Sequence, residues 1–166
     1  MSTESVVLVI GMGNPLRGDD SVGVLVARRL AARVPPGVEV RTHGGGGLAL
    51  LDAWRGVSAA VVVDAVSSGA PPGSVSRFDV RARPLPEQPG ATRSTHDLGL
   101  GDSLELARAM HRLPDRLVVI GIEGGDFSLG CGLSGPVEEA VERAVDAVLR
   151  EIELLAGRRR GEAGHA

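Results

Sequence analysis

Apolar runs alternate with amphipathic stretches along this chain, and the pattern predicts the elements of an α/β fold. Continuous apolar runs are typical of strands buried on both faces of a parallel sheet. These runs are Val6–Ile10, Ala59–Val63 and Leu117–Ile122. Stretches that alternate polar and apolar residues are typical of strands nearer a sheet edge, and they are Val38–Arg41 and Ser74–Val80.

Apolar residues at helical spacing predict helices between these strands. The first begins near Asp19 or Asp20 and runs to about Arg33, and a short second helix follows the glycine run after His43. A third runs from Leu100 to about Arg112. The clearest helical stripe belongs to the last helix and consists of Val137, Val141, Val145, Val148, Ile152 and Leu155.

The order of elements is therefore β-α-β-α-β-β-α-β-α. It predicts an α/β fold, a three-layer α/β/α sandwich around a five-stranded, mostly parallel sheet. The connection before Ser74 is too short for a crossover helix, so the fourth strand is expected to be an antiparallel edge strand. Residues 1–157 are expected to form a single domain, and residues 158–166 a disordered tail.

Composition excludes several function classes. All 18 basic residues are arginine, so there is no P-loop lysine and no lysine for Schiff-base chemistry. Three aromatic residues and a net charge of −3 argue against a nucleic-acid partner. No apolar run approaches the roughly 20 residues that span a bilayer, so no membrane association is expected. The first residues lack a basic and then apolar leader, which predicts a cytoplasmic protein.

The turn after the first strand, Gly11–Asp20, is rich in glycine and ends in two acids. A Gly-x-Gly here suggests a dinucleotide-binding turn, but Leu16 occupies the position of the third glycine. Asp19 and Asp20 would also bring negative charge to the place of a pyrophosphate. Asp19 is expected mainly to cap the following helix, whereas Asp20 is the better candidate for chemistry.

Three ionisable residues are predicted to converge at the carboxyl ends of the strands, where parallel sheets bind ligands. Asp20 follows the first strand, Asp64 ends the third, and His96 precedes a helix. Two carboxylates and an imidazole suit a divalent first-row metal with open coordination positions. The structural alternative is a helix cap, a turn aspartate and a surface histidine.

Other candidates for chemistry are weaker. Ser94, His96 and Asp97 lie too close along one loop to form a hydrolytic triad. Cys131, the single cysteine, has no histidine near it in sequence and is expected to be a loop thiol rather than a nucleophile. His43 ends a predicted strand and is either a crevice residue or an ordinary loop residue.

Several motifs in order resemble the nickel–iron hydrogenase maturation endopeptidases, over nearly the whole chain. They are Gly11–Asp20, Val62–Ala65, Thr95–Leu100, Gly121–Glu123 and Gly132–Ser134. The first and third are specific to that family. The sequence departs from the family pattern at Ser21, where glycine is common, and at His43, where an acid is common.

The resemblance implies a cytoplasmic protease that removes a C-terminal extension from the hydrogenase large-subunit precursor after nickel insertion. Asp20, Asp64 and His96 would be both the catalytic and the metal-contacting residues. The nickel is expected to arrive with the substrate, although another divalent metal is able to occupy the site in isolation.

Water would be activated either by the metal or by the two carboxylates in an aspartic-type mechanism. The alternative function is a nickel-binding or scaffold protein of hydrogenase assembly without proteolytic activity. We expect a monomer.

Overall fold

The computed structural model describes residues 7–46, 48–82, 99–130 and 132–164. Its strands are β1 (Val7–Met12), β2 (Val38–His43), β3 (Ala59–Val66), β4 (Val75–Asp79) and β5 (Arg116–Glu123). Its helices are α1 (Val22–Leu30), α2 (Leu48–Ala53), α3 (Leu100–Ala109) and α4 (Gly135–Ala163). A 3-10 turn, Gly18–Ser21, precedes α1.

The described strands form one five-stranded sheet in the order β2-β1-β3-β5-β4. Neighbouring strands are parallel except for β4, which runs antiparallel to β5 at one edge. The continuous apolar runs occupy the centre, and every residue of β1 is buried. The alternating stretches form the two edges. This arrangement confirms the predicted fold class, including the antiparallel edge strand.

Helices cover both faces of the sheet because its central strands are apolar on both sides. On one face, α1 and α4 pack against a cluster that includes Val9, Val61 and Ile120. On the opposite face, α2 and α3 pack against a cluster that includes Ile10 and Val62. The sheet is therefore the middle layer of three, and its central strands β3 and β5 carry the acids Asp64 and Glu123 at or near their carboxyl ends.

The last helix differs from the sequence-based expectation. It does not give way near Gly157 to a disordered tail but continues to Ala163. A glycine costs a helix only about 1 kcal/mol relative to alanine. The domain boundary at residue 157 stays a prediction.

Within the described residues, we find no helix that combines the length and the apolarity needed to cross a membrane.

Candidate active site

The direction of chain crossover reverses between β1 and β3, and this reversal opens a crevice at their carboxyl ends. From β1 the chain passes through α1 on one face to the outer strand β2. It returns through α2 on the opposite face to β3, on the other side of β1. Ligands of open α/β sheets bind at such a switch point. Asp20 follows β1 and Asp64 lies near the end of β3, so the topology delivers both acids to the crevice.

Asp20 lies in the 3-10 turn and is partly exposed. Its Oδ2 accepts a 2.8 Å hydrogen bond from the Asn14 backbone N–H, and its own N–H donates to the Arg17 carbonyl at 2.9 Å. Gly13 has a φ of +137°, and a Cβ there would lie 1.8 Å from the Asp20 carbonyl oxygen. The turn therefore needs glycine at position 13 to bring Asp20 back beside the end of β1.

Asp64 is paired with Gly121 of β5 and is partly buried. Burial and the negative charge of Asp20 raise the pKa of the Asp64 carboxyl to about 8, against a smaller lowering by the Ala65 backbone N–H. Asp64 therefore holds a proton at neutral pH beside a second carboxyl group. Such a pair can act as donor and acceptor of a proton in one reaction.

Of the remaining candidates, only His43 lies within the described residues. His96 and Cys131 lie outside the described residues. No three His, Cys, Asp or Glu side chains form a potential metal site within the described part of the chain. The set of Asp20, Asp64 and His96 thus stays a prediction. His43 ends β2, where its Nδ1 accepts a 3.3 Å hydrogen bond from the Gly45 N–H of its own loop.

Asp19 makes a denser network than its neighbour, and the local sequence did not predict it. Its fully buried carboxylate accepts hydrogen bonds from the N–H groups of Gly125 (2.7 Å), Asp126 (2.9 Å) and Ser134 (2.8 Å), and from the Ser134 hydroxyl (2.8 Å). We call these four contacts the Asp19 latch. Instead of capping α1 as expected, the carboxylate joins the turn after β1 to the loop after β5.

The electrostatics of Asp19 follow from these contacts. Burial alone would raise the pKa of its carboxyl group, but the hydrogen bonds from Gly125, Ser134 and Asp126 outweigh burial, and the pKa lies below its ordinary value. Asp19 is therefore ionised at neutral pH and is fully occupied by donors. Its role is to fix backbone next to the crevice.

Glu123 is a second buried acid that the sequence analysis did not single out. It ends β5 and is only 3% exposed. Its carboxylate accepts hydrogen bonds from the Ser68 N–H and hydroxyl, both at 2.8 Å, and from the Gly69 N–H at 3.1 Å. These contacts fasten the turn after β3 to β5. The sequence pattern that identified Asp64, an acid at the end of a buried apolar run, would also have identified Glu123.

Comparison with known proteins identifies the family. The sequence model of the family described as hydrogenase maturation protease (HycI) matches residues 24–151. The chain belongs to the hydrogenase maturation protease family. It is therefore a hydrolase of the endopeptidase class. The matched range includes β3 with Asp64 and begins just after the turn that carries Asp20.

Individual members of the maturation protease family are similar over most of their length. A putative hydrogenase maturation protease of Methanocaldococcus jannaschii is 32% identical over 154 residues, which cover 88% of this chain and 96% of that protein. The solved structure of the hydrogenase maturating endopeptidase HybD from Escherichia coli has a TM-score of 0.70 at 28% identity, covering 89% of this chain and 91% of that one. A [NiFe] hydrogenase maturation protease HycI from Thermococcus kodakarensis gives a TM-score of 0.68 at 28% identity, with 90% and 93% covered.

Proposed function

We propose that this chain removes the C-terminal extension from the nickel-loaded large-subunit precursor of a nickel–iron hydrogenase. The observation that carries the proposal is the pairing of Asp20 and Asp64 in the crevice of a maturation protease fold. The Thermococcus kodakarensis relative is a [NiFe] hydrogenase maturation protease, which supports the nickel–iron class of hydrogenase. We further propose that the enzyme works as a monomer in the cytoplasm.

The nickel belongs to the substrate in this proposal, and Asp20, Asp64 and His96 contact it there. The donor chemistry supports this assignment, because two carboxylates and an imidazole suit a divalent first-row metal that keeps other ligands. A precursor docked through its metal presents one peptide bond in a fixed orientation, and fixed orientation supplies a large part of a rate enhancement. A precursor without nickel lacks this anchor and is left uncut.

The carboxyl pair also supports direct participation in hydrolysis. Protonated Asp64 is able to give its proton to the leaving nitrogen, while Asp20 takes a proton from the attacking water. In the other scheme, the nickel activates the water, and all three side chains serve as its ligands. The two schemes differ in whether His96 is essential.

The test is the mass of the large-subunit precursor after incubation with this protein, with nickel inserted and with nickel absent. We expect loss of a short C-terminal peptide in the nickel-loaded sample alone. Asp20→Asn and Asp64→Asn should abolish that loss, whereas Asp102→Asn, at an exposed position on α3, should not. An unchanged mass in both samples would overturn the proposal and favour a nickel-binding protein of hydrogenase assembly.

The same assay separates the two schemes of water activation. Complete loss of cleavage in His96→Ala, with binding of the nickel-loaded precursor retained, supports activation by the metal. Retained cleavage in His96→Ala, together with its loss in Asp20→Asn, supports the carboxyl pair.

A further inference from the structure

Three exposed apolar side chains lie on the two loops that border the candidate active site. Leu16 is 69% exposed in the turn after β1, and Leu129 and Phe127 are 66% and 37% exposed in the loop after β5. We call these three residues the apolar ledge. A single exposed leucine needs no explanation, but neighbouring apolar side chains at the rim of a crevice mark a binding surface.

The backbone beneath the apolar ledge is held in place. The Gly130 N–H donates to the Leu16 carbonyl at 3.0 Å, which joins the two loops directly. The Asp19 latch joins them a second time. The Phe127 ring lies against Gly124, where a Cβ would come within 2.4 Å of the ring Cζ. A surface fixed in this way loses little conformational entropy when it binds a partner.

The apolar ledge lies within reach of the carboxyl pair. The N–H of Asn14 is 2.8 Å from Oδ2 of Asp20, and Leu16 follows Asn14 by two residues. Because consecutive Cα atoms are about 3.8 Å apart, the Cα atoms of Asn14 and Leu16 are at most about 7 Å apart. An extended peptide advances about 3.3 Å per residue. A substrate residue two to four places from a bond cut at Asp20 is therefore able to reach Leu16.

We propose that the apolar ledge binds an apolar segment of the polypeptide substrate, two to four residues from the bond that is cut. This inference rests on the proposed function, since it extends the site along the same substrate. Leu16 lies two residues from Asn14, whose N–H is bonded to Asp20, so a polypeptide cut at the carboxyl pair is able to run across the ledge. A second copy of the chain fits less well, because three side chains offer far less than the roughly 1,200 Å² that a stable interface buries.

The test compares the double variant Leu16→Ser/Leu129→Ser with a matched control, Leu154→Ser. Leu154 is 55% exposed on α4, away from the loops after β1 and β5. We expect the double variant to raise KM for the nickel-loaded precursor at least tenfold with little change in kcat, and the control to match the wild type. Since all three leucines are exposed, the melting temperature of each variant should equal that of the wild type.

Binding of the nickel-loaded precursor is measured in parallel, so that the apolar ledge is tested even without cleavage. Weaker binding by the double variant, but not by Leu154→Ser, supports the ledge. Equal KM and equal binding in the double variant and the wild type would overturn it. Binding that depends on the ledge, without cleavage by the wild type, would overturn the proposed function alone.

The assignment of a substrate segment to the apolar ledge has its own control. Replacing the apolar residues within four positions of the cut by serine should raise KM for the wild type and add little for the double variant, because the two changes remove the same contact. Additive effects would overturn the assignment. So would a dimer of the wild type that dissociates in the double variant, since the occupant would then be a second copy.

Discussion

At the residue scale, burial of Asp64 and the nearby charge of Asp20 together set the charge state of the crevice. The pKa of Asp64 lies at about 8 because of burial and the charge of Asp20. In the variant Asp20→Asn, we expect the pKa of Asp64 to fall, while burial still keeps it above its ordinary value of 3.8. Carbon-detected NMR titration of the aspartate carboxyl groups measures this directly. The same pKa in both proteins would contradict the pairing.

The raised pKa also predicts how stability depends on pH. The folded protein binds the Asp64 proton more tightly than the unfolded chain does. The free energy of unfolding should therefore fall as the pH rises from about 4 to about 8. Asp64→Asn removes this loss and should be more stable than the wild type at pH 8, but not at pH 3. Urea unfolding at the two pH values measures the difference. Equal stability at pH 8 would contradict the prediction.

Asp19 has the opposite dependence because its pKa is lowered in the folded protein. Asp19→Asn should reduce the free energy of unfolding by about 2–4 kcal/mol at neutral pH, because asparagine keeps one acceptor oxygen but loses the charge and the second acceptor. The difference from the wild type should hold above pH 4 and shrink below it, where the wild-type carboxylate is protonated. Asp102→Asn, at an exposed position, is the control. A constant difference down to pH 2 would argue against the latch.

The adjacent residues Asp19 and Asp20 show what a local sequence pattern cannot predict. The pattern singled out Asp20 and Asp64 because an acid after a buried run needs a partner. It assigned Asp19 to a helix cap. Asp19 and Asp20 are chemically identical and adjacent, so the pattern could not show which of them has partners far along the chain. The partners of Asp19 lie 106 to 115 positions later in the chain. Only the fold decides which carboxylate points to them.

At the element scale, α1 packs on the sheet through close backbone contact. A Cβ at Gly23 would lie 2.3 Å from the Met12 carbonyl oxygen and 2.4 Å from that of Val63. Gly23→Ala should therefore lower the free energy of unfolding by about 1–3 kcal/mol, although alanine is the better helix former. At Gly157 in α4 a Cβ would meet nothing within 4 Å, so Gly157→Ala should stabilise the protein by about 0.5–1 kcal/mol.

Denaturant unfolding of both variants measures these opposite effects. A gain in stability at both positions would show that the approach of α1 to β1 and β3 is looser than described. A loss at both positions would show that helix propensity does not govern the end of α4.

The elements themselves were predictable because each has a clear period. Continuous apolar runs became central strands, and alternating runs became edges. Helix ends were less predictable: α1 and α3 end at Leu30 and Ala109, before the expected positions, while α4 continues to Ala163. The chain leaves α3 through His111, which has a φ of +54°. Its N–H donates to the Arg108 carbonyl at 3.2 Å, and the Arg112 N–H donates to the Ala107 carbonyl at 2.8 Å. These bonds cap the helix, but the position usually carries glycine, so the sequence did not mark it.

At the scale of the whole molecule, the predicted domain boundary can be tested by truncation. The described side chains Val148, Ile152 and Leu155 belong to the core, whereas Arg158 is exposed. A chain of residues 1–157 should keep its melting temperature within about 2 °C, since none of the described side chains beyond residue 157 belongs to the core. Ending the chain at residue 147 deletes three core side chains, worth about 2–5 kcal/mol each, which exceeds a typical domain's margin. Calorimetry of both truncations is the measurement, and a large loss for residues 1–157 would move the boundary.

The order of elements along the chain predicted the three-layer architecture. The architecture in turn predicted where the candidate site lies. A parallel sheet with helices on both faces sends Asp20 and Asp64 to one crevice, whatever the details of the loops. The sequence could not predict that Asp126 and Gly130 would bond to the turn that carries Asp20. Loop-to-loop contacts depend on the relative positions of whole layers, and no local pattern encodes them.

The Asp19 latch also has a consequence for the order of events during synthesis. The ribosome makes the turn after β1 between 106 and 115 residues before its partners at Gly125, Asp126 and Ser134. The carboxyl crevice is therefore incomplete on every nascent chain that stops short of α4. A peptidase built this way acquires an ordered crevice only after the ribosome has added 115 residues beyond Asp19.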